Sequence, residues 1–430
     1  MSIGFATLLA VFVVAAILRL SVVASMFASG IAYLFVTRQD IGLLADQTLN
    51  STISLSLLLA VPLFILTANV MNAVTISDRL WNAGSALVGR LRGGHGHVTV
   101  LMNVVMSSMT GSAVSDVAGA GTVAVRMMRT QGSYPGGLAC AIAASASLLG
   151  PLIPPSIPMV LYALLSGASI GALFLAGIVP GLLVALSISA WIFFIAGRRN
   201  LPRGETVPLR AWPRVIGQAA VPMTLPCVLL GGIWFGVFTP TEAAAVAAFW
   251  AIAIGVLVYR NLSLQALVDV FRESMRQSAI VMMLIMSSFI VNYAITREGI
   301  ADSMADWFAG MEFSALAFML VVNVLFLVLG TILDGAVMLL VFVPVLLPTV
   351  NALGIDLVYF GVVVIINFML AIISPPYGLI LFVLSALTRV PIREINREIW
   401  PFLIPLSATM FLLIFFPSIT LFLPRMFGYQ

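Results

Sequence analysis

The sequence predicts an all-α polytopic membrane protein built from inverted repeats, with two re-entrant hairpins and two discontinuous helices. Three observations lead there. Of 430 residues 62% are hydrophobic and 8% charged, with a mean hydropathy of +1.16, whereas soluble globular domains carry about 25% charged residues. Apolar stretches of about 20 residues, enough to cross the hydrocarbon as helices, recur from Ile3 to Leu423. Two of them are broken by prolines in corresponding halves of the chain, at Gly150-Pro151-Leu152-Ile153-Pro154-Pro155-Ser156-Ile157-Pro158 and at Ser374-Pro375-Pro376-Tyr377-Gly378.

Taken in order, full spans are expected at 3–19, 21–37, 52–75, 136–168, 173–197, 216–237, 241–259, 277–296, 358–388 and 399–424. The first lacks a basic region and a following small-residue cleavage site, so it reads as a retained span and not as a secretory signal. Two stretches, 98–128 and 314–350, are apolar, polar at the middle and apolar again. Their arms, of roughly 11 to 16 residues, reach about half a bilayer at ~1.5 Å per residue, which predicts hairpins that enter and leave on one side. Thr239-Pro240-Thr241-Glu242 fits a capping box with proline in the first turn. The chain divides into scaffold spans 1–75, a first repeat 76–197, scaffold spans and connecting arms 198–276, and a second repeat 277–430.

Arginine placement is consistent with this count. All 20 basic residues are arginine. The loop bearing Arg198, Arg199, Arg203, Arg210 and Arg214 against Glu205 alone is cytoplasmic by the positive-inside rule. Counting spans from it, Arg79, Arg90, Arg92, Arg126, Arg129, Arg260, Arg272, Arg276, Arg389, Arg393 and Arg397 also fall inside, whereas Glu298, Asp302, Asp306 and Glu312 fall outside. Both termini then face out, the first hairpin opens inward and the second outward. The broken helices run in opposite directions. Their sequences also register 221 residues apart, Pro154 with Pro375, Pro155 with Pro376 and Pro180 with Pro401.

Each break is preceded by a polar tip, Ser107, Ser108, Thr110, Gly111 and Ser112 with Asp116 in one half, and Gly330 and Thr331 with Asp334 in the other. A proline within a helix lacks an N–H and displaces the carbonyl four residues back, so unpaired oxygens are expected at Gly150, Pro151 and Pro154, and at Ala371 and Ile372. Paired interruptions of this kind mark the binding site of secondary transporters, because unwound backbone at the bilayer midplane exposes carbonyls and helix ends to ions and anions. Hydroxyls, carbonyls and at most two carboxylates form an oxygen-only environment suited to a hard cation. Sodium is assigned to Ser108, Gly111 and Pro154 in the first repeat and to Gly330, Thr331, Asp334 and Pro375 in the second, with Pro155, Ser374 and Pro376 completing the ion and substrate region. The competing readings are a kink satisfied by neighbouring helices, and carboxylates that only cap the second arm of each hairpin.

Other chemistries find no support. Without lysine there is no phosphate-binding P-loop and no Schiff base. Gly167-Ala168-Ser169-Ile170-Gly171 imitates a hydrolase nucleophile motif but follows a membrane helix instead of a strand. His95 and His97, the only histidines, fall in the Arg-rich loop, and an intramembrane hydrolase has no convincing nucleophile and base. Cys140 and Cys227 lie in apolar segments, which argues against a disulfide. Gly119 and Gly121 mimic a dinucleotide fingerprint but read as small residues for close helix packing, and Trp81, Trp212, Trp234 and Trp400 as interfacial anchors. No enzyme activity and no cofactor are expected.

The tip Ser107 to Ala118, the first proline break, Thr239-Pro240-Thr241-Glu242-Ala243-Ala244 and the late Ser374-Pro375-Pro376-Tyr377-Gly378 resemble, in this order and over essentially the whole chain, the large membrane subunit of tripartite ATP-independent periplasmic (TRAP) transporters. Where that family often shows Ala-Asp-Ala-Ala after the first tip, this chain has Ser115-Asp116-Val117-Ala118. The resemblance implies a sodium-coupled importer in a bacterial inner membrane, with an elevator-type transport domain moving against a scaffold. It further implies a separate four-span membrane subunit and a periplasmic binding protein that delivers a small organic anion, a carboxylate or sulfonate. The alternative is a stand-alone ion-coupled organic-anion carrier of related inverted-repeat architecture, which needs neither partner.

Overall fold

The computed structural model describes residues 2–429 apart from 55, 75, 205–211, 311–312, 332 and 334. Glu205, Arg210, Glu312 and Asp334 therefore lie outside the described residues. Among those described, all regular structure is helical. The first half contains α1 (Ile3–Ile17), α2 (Val22–Val36), α3 (Gly42–Ser54), α4 (Ala60–Ala73), α5 (Ile76–Val88), α6 (Gly94–Thr110), α7 (Ala113–Asp116), α8 (Thr122–Thr130), α9 (Gly136–Ser147), α10 (Ile157–Ser166) and α11 (Ile170–Arg198). The second contains α12 (Trp212–Trp234), α13 (Pro240–Ala253), α14 (Leu264–Arg297), α15 (Ile300–Gly310), α16 (Ala315–Gly330), α17 (Gly335–Ala352), α18 (Leu357–Ile373), α19 (Leu379–Thr388), α20 (Ile392–Phe415) and α21 (Pro417–Met426). A π turn, Val117–Gly121, joins α7 to α8, and another, Ile254–Val258, extends α13.

One order of elements occurs twice. Helices α6, α7, α9, α10 and α11 start at 94, 113, 136, 157 and 170, and α16, α17, α18, α19 and α20 start at 315, 335, 357, 379 and 392. Each pair of starts is separated by 221 or 222 residues, the spacing at which the proline motifs register.

Two groups of helices pack around the site. In one, α4 lies against α13 and α14, and α14 also contacts α2 and α3. In the other, α9 and α11 pack on α6 and α20, α18 on α16 and α20, and α19 on α8 and α9. Both are packed with apolar side chains, for example Met26, Phe64 and Ala244 in the first and Phe174, Phe360 and Phe402 in the second, all nearly inaccessible. Large apolar residues such as Phe35, Phe235, Phe249, Leu264 and Met275 are more than 70% exposed. An apolar exterior over an apolar interior is what lipid as the outer solvent requires.

Among the described residues five helices, α11, α13 with its π turn, α14, α17 and α20, are individually long and apolar enough to cross a membrane. Eight further apolar helical stretches run for 10–17 residues. Several boundaries depart from expectation for identifiable reasons. Helix α4 and the turn before it start at 56 instead of 52, and the chain bends by 71° between α4 and α5. Helix α14 runs for 34 residues, thirteen before the expected start at 277, because its polar first turns follow a Ser263 cap whose hydroxyl accepts from the Ala266 N–H. The hairpin arms α6, α16 and α17 have 17, 16 and 18 residues, nearer ~25 Å than half a bilayer. Helix α6 gains its extra turn because His95 and His97 are helical and buried and do not lie in a loop.

The last span also divides, into α20 and α21. Phe416, φ −126°, ψ 75°, precedes Pro417, whose ring disfavours helical backbone at the residue before it. Pro401, expected in the first turn of that span, sits inside α20. Trp81 is also corrected: it is only 2% exposed and stacks on His95 at 5.9 Å, a core residue and no interfacial anchor.

Candidate functional site

The first tip closes on the first break. Gly111 ends α6 at φ +63°, a left-handed conformation that glycine adopts without the Cβ penalty. A Cβ there would lie 2.5 Å from the Pro155 oxygen, so the close approach also requires glycine. Its carbonyl accepts the Ile157 N–H at 3.3 Å, joining the tip to the start of α10. Behind the tip, the fully buried Asp116 carboxylate accepts hydrogen bonds from the hydroxyls of Ser107 (3.1 Å) and Thr110. A Cβ on Gly150 would lie 2.6 Å from the same carboxylate. Asp116 therefore ties the first arm to the second and backs onto the break, while Ser112 caps α7 by accepting the Ser115 N–H. Ser108 turns to the Val105 carbonyl. The cap reading of Asp116 falls to this geometry.

The first break is satisfied from within. Helix α9 ends at Ser147, before the prolines, and the chain turns until Ser156 starts α10. The Ser156 hydroxyl donates to the Pro151 oxygen at 2.6 Å and accepts the Met159 N–H at 3.3 Å. Pro151 was expected to present an unpaired carbonyl; it accepts one bond, because a helix that stops before its prolines lets a turn supply donors. The same correction applies to Ala371, whose oxygen accepts the Ser374 N–H at 3.0 Å. The peptide bonds Pro154–Pro155 and Pro375–Pro376 are both cis.

The second tip also meets the second break: a Cβ on Gly330 would lie 2.5 Å from that of Ala371. The Thr331 hydroxyl donates to the Val328 carbonyl at 2.7 Å and Ser374 to Leu370 at 2.7 Å. Past the break, α19 starts at Gly378, φ +46°, with no side-chain cap. Pro375 is half-buried, and Pro376 and Tyr377 are exposed.

Between the two helix groups lies a cavity of about 510 Å³. On one side α4 and α14 present Asn69, Asn72 and Gln277; on the other are the first tip from Thr110 to Ser115, Pro151, Ile157 and Pro158 at the start of α10, Ile372, and Leu379 at the start of α19. Thr110, Gly111, Ser112, Pro151 and Ile372, all expected site residues, thus line one space. Ser107, Ser108, Asp116, Gly150, Pro154, Pro155, Gly330, Thr331, Ala371, Ser374, Pro375 and Pro376 are not part of its wall. The sequence reading missed Asn69, Asn72 and Gln277. Their signal was available, since two asparagines three apart in an apolar span share a helix face. Asn69 donates to Ser274 (3.0 Å) and Gln277 (3.1 Å), and Asn72 donates across the cavity to Ser115 at 3.0 Å. The buried Asn72 Oδ1 has no partner among the described residues.

The motif look-alikes take structural roles. Ser169 caps α11 by accepting the Ala172 N–H, and Thr239 and Glu242 form the expected capping box at α13. A Cβ on Gly119 would lie 2.4 Å from Asn72 Oδ1, so that glycine permits close packing, whereas Gly121 is not crowded. Cys140 and Cys227 are free thiols.

Over residues 9–419 the chain matches the family model of the tripartite ATP-independent periplasmic transporter, DctM component. The chain belongs to this DctM family. It is 36% identical over 407 residues to the sialic acid TRAP transporter large permease protein SiaM of Vibrio cholerae, covering 94% of this chain and 95% of that protein. It is also 36% identical over 371 residues to the C4-dicarboxylate TRAP transporter large permease protein DctM of Pseudomonas aeruginosa, covering 86% and 87%. The Alcanivorax borkumensis YdaH transporter, whose crystal structure has an unusual topology, shares the fold with a TM-score of 0.64 at 16% identity over 91% of this chain and 89% of that one. A DctM-component chain is a multi-pass membrane permease subunit and not an enzyme.

Proposed function

We propose that this permease subunit imports a small organic anion coupled to sodium, with the anion in the cavity and the cations at the tip–break junctions. The observation that carries the reading is the cavity wall. It combines tip hydroxyls, neutral amides and the N-terminal ends of two half-helices, α10 and α19, with no charged side chain among the described residues. Helix N-termini carry partial positive charge and attract carboxylates, and α19 lacks a side-chain cap, leaving its first N–H groups for a ligand. A volume of about 510 Å³ suits a small solute. The named solutes of two relatives, sialic acid and C4-dicarboxylates, share only the carboxylate, which supports recognition of that group at these helix ends.

For the cations, the two junctions offer hydroxyl and carbonyl oxygens, donors that hard ions accept and that unwound transporter helices use for sodium. In the first, Ser108, Gly111 and Pro154 are the candidate ligands; in the second, Gly330, Thr331 and Pro375, with Asp334. The energetics favour such coupling. Bringing a monoanion inward against 100 mV costs about 2.3 kcal/mol, and two sodium ions reverse the sign of the net charge moved.

Tips that meet breaks support re-entrant hairpins in two inverted repeats, with α6 to α11 and α16 to α20 moving as an elevator past α1 to α4, α13 and α14. The tripartite description of the family supports two partners, a small membrane subunit on the apolar faces of the static group and a periplasmic binding protein. The location follows as the bacterial inner membrane. The test is uptake into proteoliposomes holding the complex. A carboxylate solute should accumulate under an inward sodium gradient and not when choline replaces sodium; uptake indifferent to that exchange would reject the coupling.

A further inference from the structure

A second cleft, of about 620 Å³, lies between α8 and α19 and is lined by Thr122, Arg126, Arg129, Thr130, Leu387 and Thr388. The solute cavity is lined by Ser115 of α7 and Ala118 of the π turn, which runs on into α8, and by Leu379 at the other end of α19. Along α7, the π turn and α8, Ser115, Ala118, Thr122, Arg126 and Arg129 follow at helical spacing of three or four residues, and all five are at least partly exposed. They form one accessible stripe from cavity to cleft, about 16 Å long between Ala118 and Arg129 at 1.5 Å per residue. On α19, Leu379 and Leu387 are two turns apart on one face, and both are exposed.

The cleft is an anion site in its chemistry. Thr122, Thr130 and Thr388 each donate their hydroxyls to helix carbonyls, so the donors left are the two guanidiniums. Arg129 makes no ion pair among the described residues. Arg126 reaches Asp78 on α5 at 3.2 Å, with the two side chains 60% and 47% exposed. An exposed pair of this kind contributes little to stability and is readily exchanged for another carboxylate. Guanidinium forks bind carboxylate in a fixed two-pronged geometry.

We propose that Arg126 and Arg129 form a second, low-affinity site for the carboxylate of a small solute, the exit station of the path from the cavity, with Asp78 holding Arg126 when no solute is there. This rests on the reading of the cavity as an organic-anion site. The described residues of the cavity wall offer a ligand only dipoles, whereas the arginine cleft supplies the full positive charge that draws an anion along the stripe.

The test reads the cleft without transport. In the full chain in nanodiscs, with Cys227→Ser and the buried Cys140 retained, Thr122→Cys places a thiol in the cleft. Anionic sulfonatoethyl methanethiosulfonate should label it about tenfold faster than the cationic trimethylammonioethyl reagent, each relative to a free thiol, since a cleft of one charge concentrates the opposite ion. Arg126→Gln with Arg129→Gln should bring the ratio near one, and the double lysine variant should retain most of it. Choline succinate should slow labelling several-fold compared with choline chloride of equal ionic strength. A ratio indifferent to both arginines, or no protection by succinate, would overturn the proposal. So would suppression of labelling by phosphatidylglycerol in the discs with no succinate effect in phosphatidylcholine, because the arginines would then hold a lipid headgroup. Labelling and sodium-driven uptake are separate measurements, so either can fail while the other stands.

Discussion

The two tip–break junctions share a sequence pattern and differ in how completely they satisfy themselves. At the first, a buried carboxylate takes two hydroxyls, glycine meets a backbone oxygen, and Ser156 both closes the break and caps the helix beyond it. At the second, Thr331 and Ser374 bond only to their own helices, the tip meets the break through Gly330 and Ala371, and α19 starts uncapped beside an exposed Tyr377. A fully satisfied polar network rigidifies, because leaving any member unpaired in a low-dielectric interior is costly. The first junction therefore acts as a fixed anchor for the cavity wall, whereas at the second neither Thr331 nor Ser374 bonds from tip to break.

The largest expected effect tests the anchor. Asp116→Ala leaves the buried hydroxyls of Ser107 and Thr110 without their acceptor, at about 1–3 kcal/mol for each unsatisfied group. Uptake should be abolished and the thermal transition lowered by several degrees, while Asp116→Asn, which keeps an acceptor oxygen, should lose less of both. Asp116→Ala with wild-type stability by differential scanning fluorimetry would show that the network does not hold the tip.

Next in size are two glycine substitutions. Gly111→Ala combines a positive φ with a clash against the Pro155 backbone oxygen, which cannot be trimmed away. Gly330→Ala clashes with a methyl, that of Ala371. Adding Ala371→Gly should therefore rescue Gly330→Ala uptake severalfold or more, whereas Gly111→Ala should resist rescue by any side-chain change at the break. Failure of the Ala371→Gly rescue would mean that the second tip and break do not approach each other in the working protein.

The unequal junctions also explain what was legible in sequence. The proline motifs, the polar tips and the repeat spacing are local chemical signals, and the helices they punctuate lie where those signals place them. The role of Asp116 was open because capping and cross-arm bonding use the same residue type at the same spacing; only the positions of Ser107 and Thr110 on the facing helix decide it. Pro151 and Ala371 were expected to bare their oxygens because proline was read as interrupting a continuing helix. The helices end first, and turns then supply the missing donors. Asn69, Asn72 and Gln277 escaped notice because they belong to elements far away in sequence, and their relevance comes from packing against the tip. Pro401 shows the converse error, since polar residues from Arg393 to Glu398 hid the first turns of a helix that starts at Ile392.

A more selective change addresses the second junction. Pro375→Ala with Pro376→Ala restores two backbone N–H groups and lets α18 continue past Ile373, drawing the oxygen of Ile372 into a helix bond. The sodium concentration for half-maximal uptake should rise about fivefold to tenfold, a loss of about 1–1.4 kcal/mol, and Thr331→Ala should shift it the same way. Pro401→Ala, inside α20, should leave it unchanged. An unaltered value in the double variant would reduce the second break to a packing kink.

The smallest expected effect concerns a side-chain bond across the cavity, from Asn72 on α4 to Ser115 beside the first tip. It joins neutral groups at a cavity edge where water can replace it, so its net worth is about 0.5–1.5 kcal/mol. If the second group of helices moves past the first, this bond must break in every cycle, and its removal should act on rate more than on affinity. Asn72→Ala should therefore change maximal uptake by about twofold to tenfold, with the half-saturating sodium and solute concentrations little altered. Ser115→Ala should produce the same change, and the two together no more than either alone, because both remove one bond. Additive effects in the double variant would instead assign Asn72 its own contact with the solute, through the Oδ1 that has no partner among the described residues. The cycle thus separates a latch between the two helix groups from a ligand on the static wall.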